Sequence, residues 1–145
     1  MTPEQIFKSL SGKWSLNRVL GAYGEIKGFA TFSESRDINI LDYREDFNIS
    51  NFNQNSMHSY KEYEYHLFES KIVKYFKSEN DQRQVFYELK FLRNDFAVAK
   101  HMCNLDSYDA EYKFSSLGNF KLKYSVKGPH KDYIIETEFT KILAG

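Results

Sequence analysis

His101 and Cys103 stand two residues apart, with Asp106 and Tyr108 just beyond them. On a β-strand that spacing puts the imidazole and the thiol on one face. A histidine beside a cysteine can activate a sulfur nucleophile, and a histidine assisted by a carboxylate or a phenol can move protons. His101, Asp106 and Tyr108 are therefore the catalytic candidates. Ala97 and Ala99 share the His101 face and leave space beside it. The competing structural reading is a satisfied core histidine next to a buried, inert cysteine. No catalytic motif accompanies these residues. The remaining histidines, His58, His66 and His130, show no ligand spacing to the pair, so no metal site is expected where zinc would require about four convergent N or S ligands. A barrel histidine can hold haem, but nothing marks His101 as an axial ligand, and no cofactor is expected.

Arg18 falls in an alternating run with Trp14, Leu16 and Leu20, the face expected to point inward. A buried guanidinium must be paired, because an isolated charge in a low-dielectric interior is too costly. Glu45, which follows Tyr43 on the face of Leu41 and Phe47, is one candidate partner, and Asp106 and Asp132 are others. Arg18 would either anchor an anionic ligand group or close a structural salt bridge. In Gly128-Pro129-His130-Lys131-Asp132-Tyr133 the proline presets a turn, and Lys131 and Asp132 must point to opposite faces. Lys131 or Asp132, with Tyr133, could supply hydrogen bonds at a cavity mouth, or the segment could simply set strand register. Tyr108 and Tyr112 share a face with Ala110 and Phe114. Their hydroxyls could meet a polar ligand, although such tyrosines are more often core residues with one bonded tip.

Thr2-Pro3-Glu4-Gln5 carries a capping residue, a proline at the first helical position and a glutamine three residues after the threonine, a helix-start signature. A short helix should follow, placing Ile6, Phe7 and Leu10 over a barrel end and stopping at Ser11-Gly12. From Trp14 the period changes to two. Strands are predicted from Trp14 to Leu20, Ile26 to Phe32, Ile38 to Ile49, Met57 to Phe68, Ile72 to Lys77, Gln84 to Leu92, Phe96 to Cys103, Tyr108 to Phe114, Phe120 to Lys127 and Tyr133 to Ile142. Turn signals separate them, among them Gly21-Ala22-Tyr23-Gly24, Ser50 to Asn55, Ser78 to Asp81 and Asn104 to Ser107. Asn48 to Asn55 is polar enough for a mobile loop at a barrel mouth, though such a segment is more often an ordinary hairpin loop. A meander of this kind with no intervening helix predicts an all-β, antiparallel up-and-down barrel of about eight to ten strands, closed so that no edge is exposed. Its interior would suit side chains or one small ligand.

With 20 Lys+Arg against 20 Asp+Glu, the chain lacks the positive excess that nucleic-acid binding requires. No apolar run approaches a membrane helix. A lone Cys103 and an amino terminus without signal-peptide character point to a cytoplasmic protein, a monomer or homodimer. At 145 residues one domain over 1–145 is the expectation.

Gly12-Lys13-Trp14 behind a short helix resembles the opening of lipocalins and related calycin barrels. Arg18, Gly28-Phe29-Ala30-Thr31-Phe32, Tyr43-Arg44-Glu45, His101-Met102-Cys103, Asp106, Tyr108, Tyr112 and Gly128-Pro129-x-Lys131-Asp132-Tyr133 together resemble a bacterial family of small single-domain proteins of unknown function. That resemblance implies a lipocalin-like barrel and no assigned activity. Two positions depart from the family: Asn104 stands where glycine is usual, and Phe120, Leu122 and Tyr124 occupy a strand that often carries tryptophan. The expected function is binding of a small, partly apolar, anionic or hydroxylated ligand through Arg18, Tyr43, Glu45, His101, Cys103, Asp106, Tyr108, Tyr112, Lys131 and Tyr133. The alternatives are a barrel enzyme using His101 as acid or base, and an interaction module whose core is filled.

Overall fold

The computed structural model describes residues 1–50, 56–77 and 82–143. The turn segments expected at 51–55 and 78–81 lie outside the described residues. The chain opens with α1 (Pro3–Leu10), closed by a capping box in which Thr2 Oγ1 accepts from Gln5 N at 3.1 Å while Gln5 Oε1 accepts from Thr2 N at 2.9 Å. These bonds satisfy two backbone donors that a helix start leaves open. Ile6, Phe7 and Leu10 fall on one helical face and are all buried.

Ten antiparallel strands follow: β1 (Gly12–Val19), β2 (Glu25–Glu34), β3 (Ile40–Ser50), β4 (Ser56–Phe68), β5 (Lys71–Phe76), β6 (Gln84–Arg93), β7 (Phe96–Cys103), β8 (Asp106–Ser116), β9 (Asn119–Gly128) and β10 (Lys131–Lys141). Each strand pairs with its neighbours in sequence, and β10 returns to β1 with Trp14 opposite Lys141 and Arg18 opposite Thr137, closing the barrel. Closure gives every strand a partner on both sides. The all-β, up-and-down barrel with a short leading helix is the architecture the alternation predicts. β3 starts at Ile40, two residues later than expected, because a turn secured by Asp37 Oδ1 accepting from Asn39 N at 2.9 Å occupies the preceding residues. Gly21–Tyr23 forms a single 3₁₀ turn between β1 and β2. No helix among the described residues is long and apolar enough to cross a membrane.

Period-two alternation sends one side chain in two to the interior. At the end capped by α1, this stacks Trp14, Phe32, Phe114, Phe120 and Phe139 beneath Ile6, Phe7 and Leu10, all of them buried. Trp14 is completely enclosed, its indole Nε1 donating to Leu10 O at 2.8 Å, so the plug helix is tied to the barrel floor by a hydrogen bond as well as by packing. Phe120 stacks on Phe139 with centroids 4.3 Å apart. This end is solid, and any site must lie toward the opposite end, where β1, β3, β5, β7 and β9 finish.

Candidate functional site

At that open end a cavity of about 340 Å³ is walled by Tyr63, Phe76, Phe86, Tyr108, Tyr124, Val126 and Ile135. His101, Cys103, Lys61 and Tyr133 add polar groups to its lining. Lys61, Cys103 and Tyr133 are exposed, which opens the cavity to solvent at its rim. A larger depression of about 660 Å³ lies on the barrel's outer surface, lined by Glu88, Lys90, Lys100, Asp109, Glu111 and Lys127 among others. Charged side chains of both signs alternate there with Val98, Ala99, Ala110 and Ile134 on the outer face of the sheet, whereas the recess in the barrel mouth is walled mainly by aromatic rings.

A bulge in β6 shapes this cavity. Lys74 pairs with Tyr87 and Tyr75 with Val85, leaving Phe86 as an extra residue. Phe86 and Tyr87 are consecutive yet both buried, and Phe86 stands over Tyr63 at 5.8 Å and His101 at 5.0 Å between centroids. Bulges re-aim side chains in this way. His101 is half-buried, edge-on to Phe86 and 6.1 Å from the ring of Tyr108, directly across from it in β8.

The sequence candidates separate into three places. His101, Cys103, Tyr108 and Tyr133 line the cavity. Cys103 is exposed, so the buried-cysteine reading does not apply. Asp106 and Lys131 sit at the rim and bind each other at 3.0 Å, with Lys131 Nζ 3.5 Å from Tyr108 Oη. A Cβ on Gly128 would overlap Asp106 Oδ1, so the absence of a side chain there makes room for this pair. Asp106 is turned toward Lys131 rather than His101, which leaves the imidazole without the oriented carboxylate that acid–base chemistry would use. Asn104, in the tight turn between β7 and β8, takes the left-handed conformation (φ 56°) that asparagine tolerates.

Arg18, Tyr43 and Glu45 form a self-contained cluster in the wall. Arg18 Nη1 and Nη2 donate to Glu45 Oε2 and Oε1 at 2.8 and 3.1 Å, Arg18 Nε donates to Thr137 Oγ1 at 2.8 Å, and Tyr43 Oη donates to Glu45 Oε1 at 2.7 Å. Glu45 is thus the partner of Arg18. Burial opposes ionisation of both groups, but their bidentate contact prevails, leaving Glu45 below the usual carboxylate range and Arg18 above its ordinary value. Gly28 supports this arrangement: a Cβ there would overlap Asp46 O and the Phe47 ring, and Phe47 uses the space to lie 4.5 Å beneath the Arg18 guanidinium.

Tyr112 is deeper, in a chain of phenols that ends on an amine. Tyr65 Oη lies 3.1 Å from Tyr112 Oη, which meets Tyr87 Oη in a short hydrogen bond. Tyr87 Oη lies 2.5 Å from Tyr124 Oη, which accepts from Lys74 Nζ at 3.0 Å. Burial pushes all four phenols well above their ordinary range. Lys74 is 3% exposed. Its Nζ stands 4.1 Å from the Tyr63 ring centroid and within 6 Å of those of Tyr43, Tyr65, Phe86, Tyr87 and Tyr124. Among the described residues no carboxylate forms an ion pair with it. Burial pushes its ammonium down from 10.5 to about 7, with the more distant Glu45 charge only partly opposing the fall. Sequence reasoning passed over Lys74, although it shares its parity with Ile72 and Phe76, the same signal that marked Arg18 as inward.

Among solved structures, the fold is similar to that of the S-type phycobiliprotein lyase CPES from Guillardia theta, with 11% identity, 100% of this chain and 95% of that chain covered, and a TM-score of 0.66. Two redesigned β-barrels are also similar: b11L5F_LGL, with 10% identity, coverage of 96% and 96% and a TM-score of 0.48, and mFAP1 bound to DFHBI, with 10% identity, coverage of 94% and 99% and a TM-score of 0.47. At these identities the likeness is one of fold alone. No curated protein matches the chain in sequence. Residues 10–141 match a family profile, and the chain belongs to the family described as "Family of unknown function (DUF6314)".

Proposed function

We propose that this barrel binds one small, partly apolar ligand carrying an anionic or hydroxyl group, held in the cavity at its open end. The observation that carries this reading is the recess itself: about 340 Å³ of space in the mouth of the barrel, open to solvent at its rim and floored by aromatic side chains, within the range of small-molecule sites. Phe76, Phe86, Val126 and Ile135 supply apolar contact, while Lys61, His101, Tyr108 and Tyr133 offer polar groups near the rim. Lys131, paired with Asp106, stands beside them. Arg18 and Glu45 saturate one another and act as the brace of the wall, holding Tyr43 in place.

Thermal-shift screening of aromatic carboxylates and phenols tests this reading, with Ile135→Trp as the control. That substitution puts an indole into the cavity from β10, so ligands that stabilise the wild type should leave the variant unmoved. Stabilisation that survives Ile135→Trp would place binding elsewhere. In parallel, His101→Gln separates binding from turnover: affinity retained while conversion of the ligand is lost would assign chemistry to His101.

A further inference from the structure

Most polar side chains that point into the barrel are spent on one another. Arg18, Tyr43, Glu45 and Thr137 complete one set of hydrogen bonds, and the four phenols with Lys74 complete a second. The lining of the cavity breaks this pattern. Among the described residues, neither the Tyr63 hydroxyl nor the His101 imidazole has a hydrogen-bond partner in the protein, although both side chains are half-buried and line the cavity. Polar groups withdrawn this far from bulk water normally find a partner. A phenol and a neutral imidazole can each donate and accept, and both border a space large enough for a molecule that satisfies them.

The rings around that space share an orientation. Tyr63, Phe76 and Tyr124 lie within 24°, 24° and 14° of the plane of Phe86, at centroid distances of 5.8, 4.6 and 6.2 Å. His101 and Tyr108 stand across them, at 88° and 77° to Phe86. A flat ring aligned with the first set meets its neighbours in offset stacks and presents an edge to the second set, the two arrangements that aromatic pairs prefer. A puckered ring of the same skeleton carries axial hydrogens, which hold its carbons off a flat face at the separation of about 3.5–4.0 Å where dispersion is strongest. Val126 and Ile135 are the aliphatic members of the lining, so a flexible acyl chain finds little to pack on. The volume of about 340 Å³ is near the lower end for ligand sites and suits one or two fused rings.

We propose that the cavity selects a flat aromatic ring carrying a carboxylate or hydroxyl, the ring lying along the planes shared by Phe76 and Phe86 and the polar group hydrogen-bonded to His101. This inference rests on the ligand-binding reading above and names both the ligand class and the residue that determines it. Tyr63 supplies a second hydrogen bond, from a hydroxyl that burial keeps protonated until about 12. Lys61, exposed at the rim, adds attraction for a carboxylate. The selection is by shape and π face rather than by hydrophobicity, because the saturated counterpart of an aromatic ring is the more apolar of the two.

Isothermal titration calorimetry with 2-naphthoate, trans-decahydro-2-naphthoate and decanoate tests this. The two bicyclic acids share skeleton and charge and differ in planarity. The wild type should bind 2-naphthoate at least about tenfold more tightly than its saturated counterpart, and Phe76→Leu, which takes one ring out of the parallel set, should bring the two within about threefold. Phe86→Leu gives the same comparison if Phe76→Leu does not fold. His101→Phe should weaken 2-naphthoate by about tenfold or more, and His101→Gln, which still donates and accepts, should recover most of that loss. Ile135→Trp should abolish the binding, and 2-naphthoate that still binds this variant lies outside the cavity and overturns the inference. Equal or tighter binding of the saturated acid overturns the flat-ring selection and leaves the ligand site standing, as does binding of decanoate when neither bicyclic acid binds. Unchanged 2-naphthoate affinity in His101→Phe overturns the assignment of His101. If none of the three acids binds, this inference and the ligand-binding reading fail together.

Discussion

Lys74→Met isolates the charge of one buried group from the rest of the barrel. In the unfolded chain the ammonium has its ordinary value of 10.5, whereas burial among aromatic rings holds it at about 7 in the folded protein. Between those values the unfolded state binds more protons than the folded state, so the Lys74 term makes the barrel more stable as pH rises. Below the folded value both states are protonated and the penalty is constant. Integrated from about pH 6 to about pH 9.5, the change is about 3 kcal/mol. The titratable groups facing Lys74 are Glu45 and Tyr43 on β3, Lys61, Tyr63 and Tyr65 on β4, Arg18 on β1, Tyr87 directly beside it on β6, and Tyr112 and Tyr124 from across the barrel. All are present in both proteins, and burial keeps Tyr63 protonated until about 12, so their contributions cancel in the difference. Urea unfolding of wild type and Lys74→Met at the two pH values gives the assay. The stability of the wild type relative to the variant should rise by about 3 kcal/mol between them. A difference independent of pH, or one that falls, would refute the reasoning, because it would mean that Lys74 is solvated or paired.

Glu45→Gln leaves the Arg18 guanidinium buried without its carboxylate and should cost about 3 kcal/mol in chemical denaturation near neutral pH. Because Glu45 sits below its ordinary range when folded, this advantage of the wild type should fade as acid protonates the unfolded chain first, a trend that urea midpoints below about pH 4.5 would reveal. Gly28→Ala drives a methyl group into Asp46 O and the Phe47 ring, and should destabilise by about 1–3 kcal/mol in the same assay. Thr2→Ala removes half of the capping box and should cost about 1 kcal/mol, read as a lowered Tm.

The barrel was legible because its signal is local and repeated. Alternation from Trp14 onward, with turn residues between runs, determines strand number and direction, and short connections then leave an antiparallel meander as the simple topology. The Arg18–Glu45 pair was legible in part: alternation put both side chains inward, but Asp106 and Asp132 remained open as partners until β1 and β3 were seen either side of β2. Asp106 was drawn instead to Lys131 across the space left by Gly128, a contact between β8 and β10 that no local pattern encodes. The inward placement of Lys74 could have been read from Ile72 and Phe76, yet its cage could not. Phe86 reaches the cage only because β6 bulges, and the bulge appears as a mismatch with β5 rather than as a sequence motif. The phenol chain likewise draws Tyr65, Tyr87, Tyr112 and Tyr124 from four strands, a meeting set by barrel closure.

Native mass spectrometry of the protein after exposure to a small-molecule extract, run side by side with Ile135→Trp, tests the occupied cavity most directly. The wild type should carry an added small mass that the tryptophan variant has lost while remaining folded. Equal retention of that mass by both proteins, or no bound mass on the wild type, would contradict a ligand site at the open end of the barrel.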